Sequence, residues 1–464
     1  MSDMNSTVKP YAAVWRWHFY VGLFVAPVLL ILAMTGALYL FEHEIERVWY
    51  ADLIQIKPQV KPANKSLAQA MSIQQQANLI TQQYPSSQIV SVAFPRALDE
   101  SFTWKINDDS VNDDVFIDAY QAKILGSVES DWRLMGVISR LHGKLLIGKI
   151  GGFAVGSWIV ELTASWVMVM MVTGVYLWWP KKAQAKGVVV PRLNAKGRKF
   201  WRDMHAVPAF FNLFFVVFLM LSGLPWATFW GDNLASLGTL NPNLASSPGF
   251  SASPTLDDSQ MHQHHHDENA DLPWAVRKAD KPTAQDSDMM PISLDALSKL
   301  LQGNGIDITK PKLTITFPQT SVDVITVSYL PKQAQAQRTL YINPYSGVVI
   351  QDVAWQQYTP LGKTVEFGVQ THQGNQFGAI SQWGLLIVCV TIVMTVIAGI
   401  TMWLKRRSKN TLSAPMATNS KLPLGLKITL GILFVLLPLA GISFVTITIL
   451  VYIDQRFKLK KLVS

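Results

Sequence analysis

The sequence predicts an α-helical transmembrane bundle of about five spans, internally duplicated, with two small α+β domains outside the membrane. Three observations support this fold class. Five apolar stretches are long enough to cross a hydrocarbon core, which takes about 20 residues. Only 15% of the 464 residues are charged, whereas a soluble domain carries about 25%. The order of span, outer segment and span occurs twice along the chain.

The apolar stretches divide the chain into ten consecutive parts. These are the N-terminus with the first span (1–41), the first outer domain (42–150), the second span (151–180), a basic loop (181–205), the third span (206–230), an insertion with the second outer domain (231–379), the fourth span (380–404), a second basic loop (405–423), the fifth span (424–453) and the tail (454–464). The first span is too long for a signal-peptide core, and no small-residue cleavage site follows it.

Charge predicts the orientation of these spans. The segment Pro180–His205 holds eight Lys or Arg and one acid, and Lys405–Pro423 holds five and none. Both long segments contain more acidic than basic residues. The positive-inside rule therefore places the N-terminus and the two basic loops in the cytoplasm, and both large segments outside a bacterial inner membrane. The net charge of +9 is thus a topology signal. Membrane lipid is the expected surrounding, and no nucleic-acid partner is expected, because no basic patch has interleaved aromatics.

The C-terminal stretch fits this orientation least well. A fifth complete span would place the basic tail outside the cell. That tail contains Arg456, Lys458, Lys460 and Lys461. We expect a single span kinked at Pro438, and the alternative is a re-entrant hairpin that returns the tail to the cytoplasm.

Both outer segments end in the same pattern of strand, tight turn and strand, at Phe116–Gly126 and at Tyr341–Ile350. A helical pattern precedes each of them, at Ser66–Tyr84 and at Ser293–Gln302. The two copies predict two small α+β domains. The segment Asn243–Thr283 between them is rich in Ser, Pro, Asp and His and predicts a flexible insertion.

Four of the nine histidines accompany the first four spans. His18 and His205 begin outward-running spans near the cytoplasmic face, whereas His142 and His372 precede inward-running spans near the outer face. A haem takes axial ligands from both sides of its plane, and two facing helices supply one each. The pattern predicts two haems, one above the other. They would be b-type, because the single cysteine, Cys389, excludes covalent attachment. The arginines near these histidines, which could pair with haem propionates, are Arg16, Arg140 and Arg202.

Other polar residues have less specific interpretations. Glu161 lies in the second span and could serve a proton pathway, pair with a partner or sit at the interface. Asn212 in the third span predicts a helix–helix hydrogen bond. The cluster His262–His266 predicts a weak metal site or no site, and His43 a surface residue.

Four motifs resemble the PepSY-associated transmembrane family. They are Trp17–Gly22, Thr35–Leu38, Leu141–Gly148 and Thr173–Pro180. The two outer domains resemble PepSY domains, and the turn Asn343–Gly347 matches the usual pattern better than its counterpart in the first domain. The resemblance covers nearly the whole chain.

The resemblance also implies a function. The family is similar to bacterial iron-regulated inner-membrane proteins, and some members are ferric-siderophore reductases with two b-type haems. That implies bis-histidine ligation by His18 with His205 and by His142 with His372, although Thr371 replaces the leucine usual before the fourth histidine. The expected substrate is a ferric siderophore or another ferric chelate outside the membrane. The expected electron donor is a quinol or a cytoplasmic reductant.

Two alternatives belong to other functional classes. PepSY domains also occur as non-catalytic modules, so the chain could be a membrane-anchored binding or regulatory protein with structural histidines. A metal permease is a weaker alternative, because five spans offer few polar residues along a path. No nucleotide-binding or hydrolase motif is present.

Overall fold

A computed structural model describes residues 2–56, 70–108, 111–180, 185–240, 272–277, 279, 281–285, 289–306, 312–407 and 422–463. The chain forms two compact units. The first unit comprises Met1–Leu38, Ser139–Gly231 and Gly384–Ser464, and the second comprises Tyr39–Ile138 and Asp232–Trp383.

The helices of the described residues are α1 (Ser2–Tyr39), α2 (Glu42–Trp49), α3 (Ala51–Ile54), α4 (Ile73–Gln83), α5 (Leu134–Lys144), α6 (Val155–Trp178), α7 (Arg198–Gly223), α8 (Thr228–Ser236), α9 (Trp274–Arg277), α10 (Leu294–Gly303), α11 (Pro360–His372), α12 (Ala379–Arg406), α13 (Leu424–Leu436) and α14 (Pro438–Val463). The strands are β1 (Gln88–Ala93), β2 (Phe102–Asp108), β3 (Val111–Asp118), β4 (Lys123–Glu129), β5 (Leu313–Thr316), β6 (Ile325–Tyr329), β7 (Arg338–Ile342) and β8 (Val349–Ala354).

The first unit is a helical bundle. Four helices are long and apolar enough to cross a membrane: Pro10–Tyr39, Val155–Trp178, Arg198–Trp226 and Ala379–Arg406. Two of them begin well before the predicted apolar stretches, because a helix continues through polar residues that tolerate helical geometry. His18 and His205 consequently lie inside α1 and α7, and not at their first residues as the sequence analysis expected.

Packing holds the bundle together. Val25, Trp166, Val216 and Ile392, one from each of the four long helices, belong to the same buried cluster. Lipid is as apolar as these side chains, so close van der Waals contact and interhelical hydrogen bonds provide the stabilisation. Asn212 Nδ2 donates to Thr391 Oγ1 at 2.6 Å, which confirms the predicted helix–helix hydrogen bond.

The C-terminal stretch is not a continuous helix. Helices α13 and α14 are bent by 114° at a break, and Phe434 and Phe444 from the two helices stack at 4.8 Å. The break falls at the predicted Pro438, and both the kinked span and the re-entrant hairpin stay predictions. A fifth span exists only if both bent helices together form one. The Nε1 of Trp166 donates to Ser443 Oγ at 3.0 Å and attaches this pair to α6.

The second unit contains one eight-stranded sheet in the order β4-β3-β2-β1-β5-β6-β7-β8. All neighbouring strands are antiparallel. The repeated pattern predicted two small domains. In the structure the edge strands β1 and β5 of the two segments pair, so the segments share one sheet. An unpaired edge strand exposes hydrogen-bonding groups, and this pairing satisfies them.

The helices α4 and α10 contribute Ile80 and Leu297 to the buried core of this sheet. Both predicted hairpins are present, and each turn begins with a side chain that accepts backbone hydrogen bonds. Asp118 Oδ1 accepts from Tyr120 N and Gln121 N, and Asn343 Oδ1 accepts equivalently in the second copy. Glycine occupies the left-handed position of the second turn, whereas the first turn holds an alanine there with a φ of 54°.

Candidate functional site

Two of the four predicted histidines face each other in the first unit. The imidazole rings of His18 on α1 and His205 on α7 have centroids 6.4 Å apart and planes at 85°. Metal–imidazole bonds of about 2 Å on each side, plus about 1 Å from each nitrogen to its ring centre, require a separation of about 6 Å. The pair therefore has the spacing that one metal ion between two imidazoles needs.

A threonine fixes the protonation of His18. His18 Nδ1 lies 2.9 Å from Thr173 Oγ1. The same hydroxyl approaches the carbonyl oxygens of Val169 and Met170 at 3.1 Å, and a hydroxyl has only one proton to donate. With that proton assigned to the helix backbone, the hydroxyl accepts from His18 Nδ1–H. The lone pair of the neutral ring then resides on Nε2, the nitrogen suited to a metal.

A backbone carbonyl sets the same tautomer in His205, with the proton on Nδ1. Its Nδ1 lies 2.9 Å from the carbonyl oxygen of Thr395 on α12. A carbonyl can only accept, so His205 Nδ1 is the donor and Nε2 carries the lone pair. Both members of the pair thus present the same nitrogen as a ligand, and each is oriented by a neighbouring helix.

His142 on α5 repeats the arrangement of His18. Its Nδ1 lies 2.9 Å from Thr35 Oγ1, and that hydroxyl is 2.7 Å from the carbonyl oxygen of Ile31. Because the Thr35 hydroxyl donates its one proton to that carbonyl, it accepts from His142 Nδ1–H. Burial lowers the pKa of His142, so the imidazole is neutral at pH 7, as ligation requires.

Each of these three rings packs on a glycine. A Cβ atom at Gly174 would lie 3.4 Å from His18 Cε1, one at Gly399 would lie 3.2 Å from His205 Nδ1, and one at Gly36 would lie 3.4 Å from His142 Cε1. A Cβ at Gly399 would crowd the His205 ring, and at Gly174 and Gly36 the absence of a larger side chain leaves the ring in direct contact with the helix.

His372, the fourth predicted ligand, is the last residue of α11 and belongs to the second unit. Its pairing with His142 stays a prediction. The structure thus brings together His18 and His205, and it gives His142 the same orientation by a threonine.

The donor set points to a particular kind of metal group. Among the described residues, no three His, Cys, Asp or Glu side chains gather into a metal site. Protein sites for bare zinc use three or four such ligands. Two neutral imidazoles suit a metal whose remaining positions are already filled, as in a porphyrin. The residues around His18 and His205 therefore fit a haem.

Glu161 is a buried helix cap. It is 1% exposed, and its carboxylate accepts from the backbone N–H groups of Phe229 at 2.9 Å and Trp230 at 3.3 Å. These are N-terminal residues of α8, where a negative charge is stabilised. Of the predicted alternatives, the structure supports a carboxylate with a partner.

The remaining candidates have structural partners or lie outside the described residues. His43 Nε2 is 2.9 Å from Glu100 Oε1. Arg202, considered for a propionate, donates to the buried carboxylate of Asp203 at 2.6 Å. The cluster His262–His266 lies outside the described residues.

The role of the two threonines, Thr35 and Thr173, was not predicted from the sequence. Thr35 and Thr173 each precede a glycine, and both begin one of the motifs that resemble the family, Thr35–Leu38 and Thr173–Pro180. The Thr-Gly dipeptide was thus the available signal. Its meaning depends on a histidine more than 100 positions away in the chain, which no local pattern reports.

Comparison with protein families places the chain in a known family. A family model described as the PepSY-associated TM region matches residues 15–406. The matched range contains all four predicted ligand histidines and the threonines that orient His18 and His142. No curated protein matches the chain.

Proposed function

The chain belongs to the PepSY-associated TM region family, and from this premise we propose that it is a dihaem b electron-transfer protein of the bacterial inner membrane. It reduces a ferric chelate, above all a ferric siderophore, on the outer side. Two b-type haems supply the one-electron carriers when bound. The protein supplies ligands, orientation and a protected path through the membrane.

The observation that carries this proposal is the pair of imidazoles at 6.4 Å. Both rings present Nε2, because Thr173 Oγ1 and the Thr395 carbonyl engage the two Nδ1 atoms. A structural histidine pair has no need of this shared state. A pair that holds one metal from opposite sides requires it.

We also propose that His142 and His372 form the second ligand pair. Thr35 holds His142 in the same tautomer that Thr173 gives to His18. This likeness supports the same role, that of a haem ligand, for both histidines. Electrons then enter on the cytoplasmic or quinol side and leave on the outer side. Reduction releases iron because Fe²⁺ is held more weakly than Fe³⁺ by hard oxygen donors.

We propose that α13 and α14 form a re-entrant hairpin, so that the C-terminus is cytoplasmic. The bend of 114° supports this course, and α13, with 13 residues, reaches about 20 Å, less than the ~30 Å core. A cysteine introduced by Ser464→Cys should resist an impermeant maleimide in intact spheroplasts and react after permeabilisation. Gln121→Cys, in the outer domain, should react in both. Labelling of residue 464 in intact spheroplasts would show a fifth complete span.

Haem content tests the function as a whole. The purified protein, made with haem available, should show sharp low-spin bands on reduction with dithionite and about two b-type haems per chain by pyridine haemochrome. The reduced protein should then be reoxidised by a ferric chelate. A folded but colourless protein would end the electron-transfer proposal and favour a PepSY binding or regulatory module.

A further inference from the structure

The second unit contains a cleft of about 380 Å³, which is within the range of small-molecule sites. Seven parts of this unit line it: the end of α1, the start of α2, the loop before β2, the residue before β5, the end of β6 with the turn that follows, the segment after α11, and the first turn of α12. The cleft is therefore built by both outer segments of the chain, although it lies wholly within one unit.

Cations outnumber their partners in this cleft. Arg96, Lys312 and Lys332 line it together with Glu42 and Glu44. Arg96 Nη2 is 3.9 Å from Glu42 Oε1, a long ion pair. In the part of the chain that the structure describes, no ion pair or hydrogen bond engages either lysine ammonium. Glu44 is exposed to solvent, where a carboxylate neutralises its neighbours weakly.

Two features of Lys312 are energetically unfavourable: the surroundings of its charged ammonium group and its backbone conformation. Burial, together with the neighbouring charges of Arg96 and Lys332, lowers the pKa of Lys312 to about 8, and the charge of Glu42 offsets only part of this shift. Its backbone has a φ of 69°, a left-handed conformation that costs free energy for a residue with a side chain. The carbonyl of Lys312 accepts from Leu330 N at 3.0 Å, which holds this conformation.

A bound anion would relieve the repulsion among the three cations. The guanidinium of Arg96 offers a planar fork that matches a carboxylate, and the two ammonium groups act as point charges. Tyr329 and Gln373 line the same cleft, and both carry hydrogen-bonding groups. The volume exceeds that of a single inorganic anion, so the lining suits a larger molecule with several anionic oxygens.

We infer that this cleft binds an anionic ferric chelate, one whose carboxylate or catecholate oxygens give it net negative charge, in preference to an uncharged trihydroxamate chelate. The inference rests on the proposed function, which it deepens by naming the substrate class. Gln373, Gly374 and Asn375 form part of the wall, and they directly follow His372, the proposed outer ligand. One electron passes from the reduced protein to the bound Fe³⁺, which becomes Fe²⁺, and no covalent bond to the protein forms.

Binding can be measured without any electron transfer. Gallium(III) citrate is an anionic, redox-inert probe, and the gallium(III) complex of an uncharged trihydroxamate is the comparison. Titration calorimetry on the full chain should detect the citrate complex and show weaker binding at high salt. Lys312→Gln and Lys332→Gln should each weaken it about tenfold. Lys299→Gln, an exposed lysine on α10 outside the cleft, should leave it unchanged.

Lys332 is exposed, so its variant tests the inference even if Lys312→Gln fails to fold. Loss of citrate binding in Lys332→Gln with unchanged trihydroxamate binding supports an anionic substrate. Equal affinity of all variants, or equal loss for both probes, overturns it, as does binding of phosphatidylglycerol with no binding of either chelate. If gallium citrate binds to a chain that holds no haem, the proposed electron-transfer function fails, whereas the inference that the cleft binds an anionic chelate is supported. If haem and reduction are present without citrate binding, only the cleft inference fails.

Discussion

His18→Ala and His205→Ala are each expected to lower the haem content from about two per chain to about one and to slow ferric-chelate reduction more than about tenfold. The two rings stand 6.4 Å apart, so removal of either leaves a metal between them with one protein ligand. A five-coordinate haem is high-spin, and it dissociates more easily than one held from both sides. Pyridine haemochrome, the low-spin band intensity and single-turnover reoxidation by ferric citrate measure the loss.

The haem that remains in these variants is an internal check of folding, because a collapsed bundle would hold none. His264→Ala, in the acidic insertion, is the matched control and should retain about two haems. Retention of both haems in His18→Ala and in His205→Ala would exclude the pair as ligands. Loss of both haems from a folded variant would contradict independent paired sites.

The four apolar helices could be predicted because their cause is short-range in sequence. An apolar run of sufficient length is visible without knowledge of distant residues. Helix starts could not be predicted in this way. The helix α1 continues through Pro10 and Arg16, since its backbone hydrogen bonds do not depend on the polarity of exposed side chains.

Contacts between segments far apart in the chain limited what could be predicted of the second unit and of the candidate site. The repeat indicated two similar folding segments, but only contact between β1 and β5 decides whether they form one sheet. Similarly, the sequence identified His18 and His205, whereas the orientation of each ring depends on α6 or α12. Sequence therefore identified the candidate ligands, and tertiary packing supplied the tautomers that make them suitable.

Thr173→Val is expected to weaken haem retention about 10–100-fold, as does the loss of a group that orients a metal ligand. Valine has nearly the shape of threonine but cannot accept from His18 Nδ1–H. A buried donor left without a partner costs about 1–3 kcal/mol, and the ring is free to turn or to exchange its tautomer. Haem transfer to excess apomyoglobin measures the rate of loss, and the midpoint potential of the affected haem should also shift.

Thr163→Val provides a control on the same helix, because Thr163 is fully buried and its Oγ1 has no hydrogen-bond partner among the described residues. That substitution removes an unsatisfied hydroxyl, so it should leave haem transfer unchanged and the protein at least as stable. Thr173→Ser retains the acceptor and should behave as the wild type. If Thr173→Val and Thr163→Val released haem at the same rate, the hydroxyl would have no part in ligation, and the proposed role of the Thr-Gly dipeptide would be limited to helix packing.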